Sequence, residues 1–339
     1  MYLLIFPDII ITQGVNRTMI YDTKKPGVFL YIPNLPFDII NAIREKSVEA
    51  IRRRCNSYDL QLFNDFLEFI VNNKFGTFVD DITCFPSISE EYYSPSDIEI
   101  LVIDINDIEH RYSYILSQLY GLCCQHLQLR FFSPVTIDSI QKVLVQLISF
   151  PWHSIELLVS YPLWENHEKI TDFLYEYPMV SVVVFNQPYT RFFNVNSKYK
   201  HQSISSVLYT TQNFKKPTDC GVINKETLNC VSTLQSVLLS KKYNSCLYKK
   251  MFITQDGYIA NCPCIPKYFG NIDKDNIDLE ALINNSSFKD IWNISKDKIR
   301  TCCDCEYRYF CNDCRAFVNN NRDKPIKCSY NPFTNNWDD

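Results

Sequence analysis

The chain has 339 residues, 46% of them hydrophobic and 21% charged, so it can bury a sizeable core and is expected to divide into two or three domains. A formal net charge of -4 gives no global attraction for nucleic acid or for an anionic membrane surface. No apolar run reaches the roughly 18 residues that span a bilayer, and the start "MYLLIFPDIII" has no basic stretch ahead of its apolar one, so a cytoplasmic protein with no membrane partner is expected.

The first 35 residues read as short strands. "YLLIF", "DIIIT", "RTMIYDT" and "GVFLYIP" are rich in β-branched and aromatic residues, and Gly14, Gly27 and Pro33 punctuate them. Helical spacing follows: Phe37, Ile40 and Ile43 mark a first helix, Ser47 can cap a second that runs to Cys55, and Leu60, Phe63, Phe66, Leu67, Ile70 and Val71 form one face of a third. A small sheet followed by three helices predicts a winged-helix-like domain over residues 1–80.

From Ile98 the pattern changes to continuous apolar strands separated by helical stretches: "IEILVIDI", "LQLRFF", "IELLVS", "VSVVVF" and "SSVLYT". Their starts lie 25 to 29 residues apart, the size of a βα unit, and strands of this kind belong to a parallel sheet covered on both faces. The fold class expected is therefore α/β, with four or five βα units forming an incomplete barrel over residues 95–243.

Beyond about Asn244 short strands, turns and cysteines take over, which sets a third, cysteine-rich domain at residues 244–335. Asp256-Gly257 is a hairpin pair between "MFIT" and "YIAN", and the hairpin would bring Cys246 and Cys262 together. Then comes Cys302-x2-Cys305-x5-Cys311-x2-Cys314, with Cys328 thirteen residues later. Paired C-x2-C steps aim thiolates at one metal centre and serve zinc and iron–sulfur clusters alike. Disulfides suit this pattern less well, because such scaffolds belong to short secreted chains.

The order Cys246, Gly257, Cys262, Cys302, Cys305, Cys311, Cys314 and Cys328 resembles the SPASM domain of radical S-adenosylmethionine peptide maturases, except that the step from Cys311 to Cys314 is one residue shorter than in that family. The resemblance implies two [4Fe-4S] clusters, with zinc as the alternative. Cys302, Cys305, Cys311 and Cys328 would hold one cluster, and Cys246, Cys262 and Cys314 the other. The second takes a fourth ligand from among Cys264, Cys220 and Cys230 or keeps an open iron, and Cys303 is a bystander. Cys55, Cys84, Cys123 and Cys124 read as core residues.

No Cys-x3-Cys-x2-Cys triple is present, so no S-adenosylmethionine cluster and no radical activity are expected, and whether the chain is itself an enzyme stays open. With seven glycines there is also no Walker loop and no dinucleotide fingerprint. The N-terminal element resembles the recognition modules that bind the leader of a ribosomally made precursor peptide as an added strand. Arg52, Arg53 and Arg54 on its second helix read as a solvated face rather than a nucleic-acid contact. Together the parts resemble the SPASM maturase of grasp-with-spasm systems, which implies a precursor peptide and an ATP-grasp ligase as partners. An independent redox enzyme acting on peptides, or a zinc-binding winged-helix regulator, are the alternatives.

Overall fold

The computed structural model describes residues 1–25, 27–86, 89–106, 110–161, 163–196, 203–228 and 232–338. Two units emerge. The first takes Met1–Tyr92, Val222–Ser245 and Ile294–Asp339, and the second Tyr93–Gly221 and Cys246–Asn293.

In the first unit β1 (Tyr2–Ile5), β2 (Ile9–Gln13), β3 (Thr18–Asp22) and β4 (Phe29–Ile32) lie where β-branched and aromatic residues crowd. Strands β2, β3 and β4 form an antiparallel sheet in that order. Strand β1 instead pairs with β5 (Gly76–Val79), which follows the helices α1 (Phe37–Ala42), α2 (Val48–Arg52) and α3 (Ser57–Asn72). The Ser47 hydroxyl caps α2 by accepting from the Ala50 amide at 3.2 Å, and the Asn56 side chain caps α3 from the Asp59 amide at 2.9 Å.

Side-chain alternation in the sheet then decides the packing. Ile9, Ile20 and partly buried Ile11 and Leu30 meet Phe63, Phe66, Leu67 and Ile70 of α3 in one core. Their neighbours Ile10, Met19, Tyr21 and Phe29 point the other way, against Tyr307, Phe310 and Tyr330 of the cysteine-rich segment. The sheet is thus buried on both faces.

The second unit is built on a nine-stranded mixed sheet. Its strands are β6 (Ile100–Asp104), β7 (His126–Arg130), β8 (Ser154–Ser160), β9 (Val180–Phe185), β10 (Arg191–Asn196), β11 (Ser203–Tyr209), β12 (Lys250–Ile253), β13 (Tyr258–Ala260) and β14 (Tyr268–Asn271). The order is β10-β11-β9-β8-β7-β6-β12-β13-β14. Strands β11, β9, β8, β7, β6 and β12 run parallel, and β10, β13 and β14 are antiparallel additions.

The sequence reading is α/β, and so is this unit, with α4 (Tyr112–Leu119), α5 (Ile137–Leu147) and α6 (His167–Glu176) as crossovers between β6, β7, β8 and β9. The strand order is open, with β10 and β14 at its ends. The hairpin expected at Asp256-Gly257 forms, with Phe252 opposite Ala260 and Gly257 at a φ of 79°, where a side chain would be strained. Its first strand joins β6 through the pairs Lys250 to Ile100 and Ile253 to Ile103, so the hairpin extends the parallel sheet.

Of the four lone cysteines, Cys124 is buried and Cys55 half-buried, whereas Cys84 and Cys123 are exposed, against expectation. Cys84 sits on a short 3-10 turn organised by Asp81, and Cys123 takes a positive φ of 53° after α4, which turns each away from a core. Among the described residues no helix is long and apolar enough to cross a membrane.

The ends of β6 and β7 carry one buried charge pair. Register sets Asp104 beside Arg130, and the guanidinium donates to both carboxylate oxygens, at 2.6 and 2.9 Å. Rings of Phe252 and Phe132 lie 5.0 and 5.3 Å from the guanidinium carbon. Asp104→Ala leaves Arg130 charged and dry, and should cost about 3–5 kcal/mol in denaturant unfolding, whereas Asp104→Leu combined with Arg130→Met should recover most of it. A single variant as stable as the wild type would contradict the assignment.

Candidate metal centre

Tight turns prepare the first thiol group. The Cys305 amide donates to the Cys302 carbonyl at 3.1 Å and that of Phe310 to Tyr307 at 2.8 Å, so Cys302, Cys305 and Cys311 fold onto one side of a compact loop. Cys328 is brought in from further along the chain. Ile223 pairs with it in a short parallel bridge, fixed by the Ile223 amide on Lys327 and the Ser329 amide on Ile223, at 3.0 and 3.1 Å.

The result is a cavity of about 20 Å³ lined by Cys302, Cys305, Cys311 and Cys328, with Lys296, Arg308, Lys324 and Tyr330 among its walls. These are the four cysteines that the family resemblance groups into one cluster. Among the described residues no set of three or more Cys, His, Asp or Glu side chains is arranged to hold a single metal ion.

Burial raises the Cys302 thiol to about 12, and it also pushes Cys305 and Cys328 above the ordinary thiol range. Lys296 is 2% exposed, and its Nζ lies 2.6 Å from the Cys311 sulfur. Burial works against that ammonium, yet Cys311, Asp313 and Cys302 hold it above the usual lysine range.

Asp313 is itself buried and already engaged. Arg315 pairs with it at 2.6 Å, and Asn244 donates to its other oxygen at 2.9 Å. Lys296, Asp313 and Arg315 together leave one positive charge beside the four sulfurs, and a dry positive charge calls for a negative one. Thiolate ligands of a multi-iron cluster would supply it, so the chemistry of the four cysteines suits a cluster rather than a single ion. No local pattern marks Lys296, since "SKDKIR" reads as a solvated charge run.

A second support lies under Cys305. Glu306 is fully buried, and its Oε1 accepts from Arg17 Nε at 2.6 Å and from the Tyr330 hydroxyl at 2.5 Å. Gly14 must stay glycine here, because a Cβ would come within 2.9 Å of the Glu306 backbone nitrogen. The Val15 amide donates to the Asp304 carbonyl at 2.8 Å and Arg308 donates to the Gln13 carbonyl at 2.7 Å, so the β2–β3 turn braces the thiol loop.

The second unit holds another group of thiols. The Cys264 amide lies 3.5 Å from the Cys262 sulfur, the Cys264 sulfur lies 3.3 Å from the Pro217 carbonyl, and the Cys264 thiol interacts with both Cys220 and Cys262. Its hydrogen bond draws the Cys262 thiol below the ordinary range, while that of Cys264 is raised. Two of the three extra ligands named from sequence, Cys220 and Cys264, thus stand beside Cys262. Cys230 lies outside the described residues. Cys246 belongs to this unit and is half-buried, Cys314 is buried in the first unit, and Cys303 is exposed.

Glu306→Gln keeps the shape of the side chain and removes its charge from Arg17 and Tyr330. Urea unfolding of the metal-free protein should register a loss of about 1.5–3 kcal/mol. An unchanged midpoint would show that the bracing lies elsewhere.

No protein-family model and no curated protein sequence matches the chain. Among solved structures, the crystal structure of Streptococcus suis SuiB aligns with it at a TM-score of 0.35 and 11% identity, over 96% of this chain and 99% of that one. Likeness at that level carries no argument about function.

Proposed function

We propose that this chain is an iron–sulfur SPASM protein of peptide maturation, which binds the leader of a precursor peptide and works with an ATP-grasp ligase. The observation that carries the metal part is the convergence of Cys302, Cys305, Cys311 and Cys328 on one cavity beside a fully buried lysine. In this reading those four thiolates hold one [4Fe-4S] cluster. A second cluster draws on the thiols of the second unit, Cys246 and Cys262 with Cys220 or Cys264. When bound, such fully ligated clusters supply electron transfer.

The chain's own part is to hold the substrate and the thiolates. In the sheet β2-β3-β4, β4 is one of the two end strands, so its outer edge offers backbone donors and acceptors to an extended peptide. Beside it a cleft of about 220 Å³ is lined by Ile20, Val28, Leu30 and Phe75, with Asp22, Lys25 and Asn73 at its polar positions. That mixture suits a strand that inserts an apolar side chain and keeps polar neighbours in water. Tyr31, on the same strand, places its hydroxyl 2.5 Å from that of Tyr307, next to Glu306. Peptide edge and thiol loop therefore share one framework within the first unit.

Anaerobic reconstitution tests the reading. The protein should turn brown and carry about eight irons per chain. Cys305→Ser should lose about half of them and destabilise the first unit, because a metal ligand there is also a folding contact. A colourless protein with stoichiometric zinc, or a serine variant with full iron content, would refute it.

A further inference from the structure

We infer that Lys296 is a tuning residue of the four-thiol site, which neutralises part of the negative charge that a metal–thiolate complex brings and holds Cys311 through its sulfur. The inference rests on the metal-centre reading above and goes beyond it, because cysteine spacing alone assigns Lys296 nothing.

Three cationic side chains line the cavity, and they are not equivalent. Arg308 is engaged by Asp297 at 2.9 Å and by the carbonyls of Gln13 and Cys305 at 2.7 and 3.0 Å. Lys324 donates to the Tyr330 carbonyl at 2.6 Å. Lys296 instead directs its Nζ at the Cys311 sulfur, 2.6 Å away. Asp313, the nearby carboxylate, is matched by Arg315 at 2.6 Å, so it does not balance Lys296 alone.

The geometry of the segment keeps this arrangement fixed. Lys296 opens a one-turn 3-10 helix after buried Ser295, and the Ile299 amide donates back to the Lys296 carbonyl at 3.1 Å. The side chain points inward while Asp297 meets Arg308 and Tyr309 at the surface.

A [4Fe-4S] centre with four thiolates is negative in its oxidised state and more negative when reduced, so a fixed cation beside it favours the reduced form. Charge near the cluster and hydrogen bonds to its sulfurs are the protein's main levers on potential. Lys296 supplies both at one atom.

The test compares wild type with Lys296→Met, Lys296→Gln and Lys296→Arg. Each is measured for iron content, for the thermal midpoint of the metal-free and loaded forms, and for the reduction potential by titration followed with electron paramagnetic resonance. The neutral variants should match or exceed the wild-type midpoint when metal-free, because a dry charge is gone, and fall below it when loaded. Their potential should shift to more negative values, and Lys296→Arg should move it back. Loss of loading with an undiminished metal-free midpoint supports the assignment as well.

A lysine with a purely structural role predicts otherwise: both midpoints fall together, and the potential stays where it was. Either result overturns the inference while leaving the cluster reading intact. A wild-type chain that takes up no iron overturns the cluster reading, and this inference with it.

Discussion

A lysine ammonium taken wholly out of water must be answered by negative charge, and at Lys296 the answer lies in sulfur. Neighbouring Asp313 is shared with Arg315, so thiolates of the proposed cluster would supply the charge that balances Lys296. This constraint joins the chemistry of the site to the stability of the unit around it. Four neutral thiols would leave the ammonium stranded, whereas a metal–thiolate complex with no cation beside it would hold its own excess charge in a dry cavity.

The same unit explains how a small cysteine-rich segment stays ordered. Its aromatic residues Tyr307, Phe310 and Tyr330 pack on the face of the β2-β3-β4 sheet that the helices leave free. Tyr21 lies 4.7 Å from Phe310 and Phe29 5.6 Å from Tyr307, centroid to centroid, and the Arg17 guanidinium stands 3.9 Å from the Tyr31 ring centre. Glu306 then ties Arg17 and Tyr330 beneath Cys305. The helices and the cysteine-rich segment are thus built on opposite faces of the same three strands.

Much of the local structure was legible in the sequence because local physics sets it. Continuous apolar runs such as "IELLVS" and "VSVVVF" become the parallel strands β8 and β9, Ser47 caps its helix, and Asp256-Gly257 turns its hairpin. Partner choice was hidden, because strand pairing is decided between segments far apart in the chain. Nothing in "KMFI" says that it will lie against β6, and "YLLI" gives no sign of pairing with β5 across three helices. At the candidate site the cysteine spacing marked the donors, and Cys302, Cys305, Cys311 and Cys328 line one cavity. Lys296, Glu306 and Arg17 were not legible, since a charged side chain in a polar run carries no mark of burial until its neighbours are placed. Spacing offers Cys220 and Cys264 only as additional ligands, and their position beside Cys262 follows from the fold of the second unit.

Anomalous diffraction at the iron edge from crystals of the anaerobically loaded protein tests the account most directly. It should show iron inside the cavity of the first unit, bound to the sulfurs of Cys302, Cys305, Cys311 and Cys328, with Lys296 beside Cys311. A cavity without an anomalous peak in a protein that carries iron elsewhere, or one closed by disulfides among these cysteines, would contradict it.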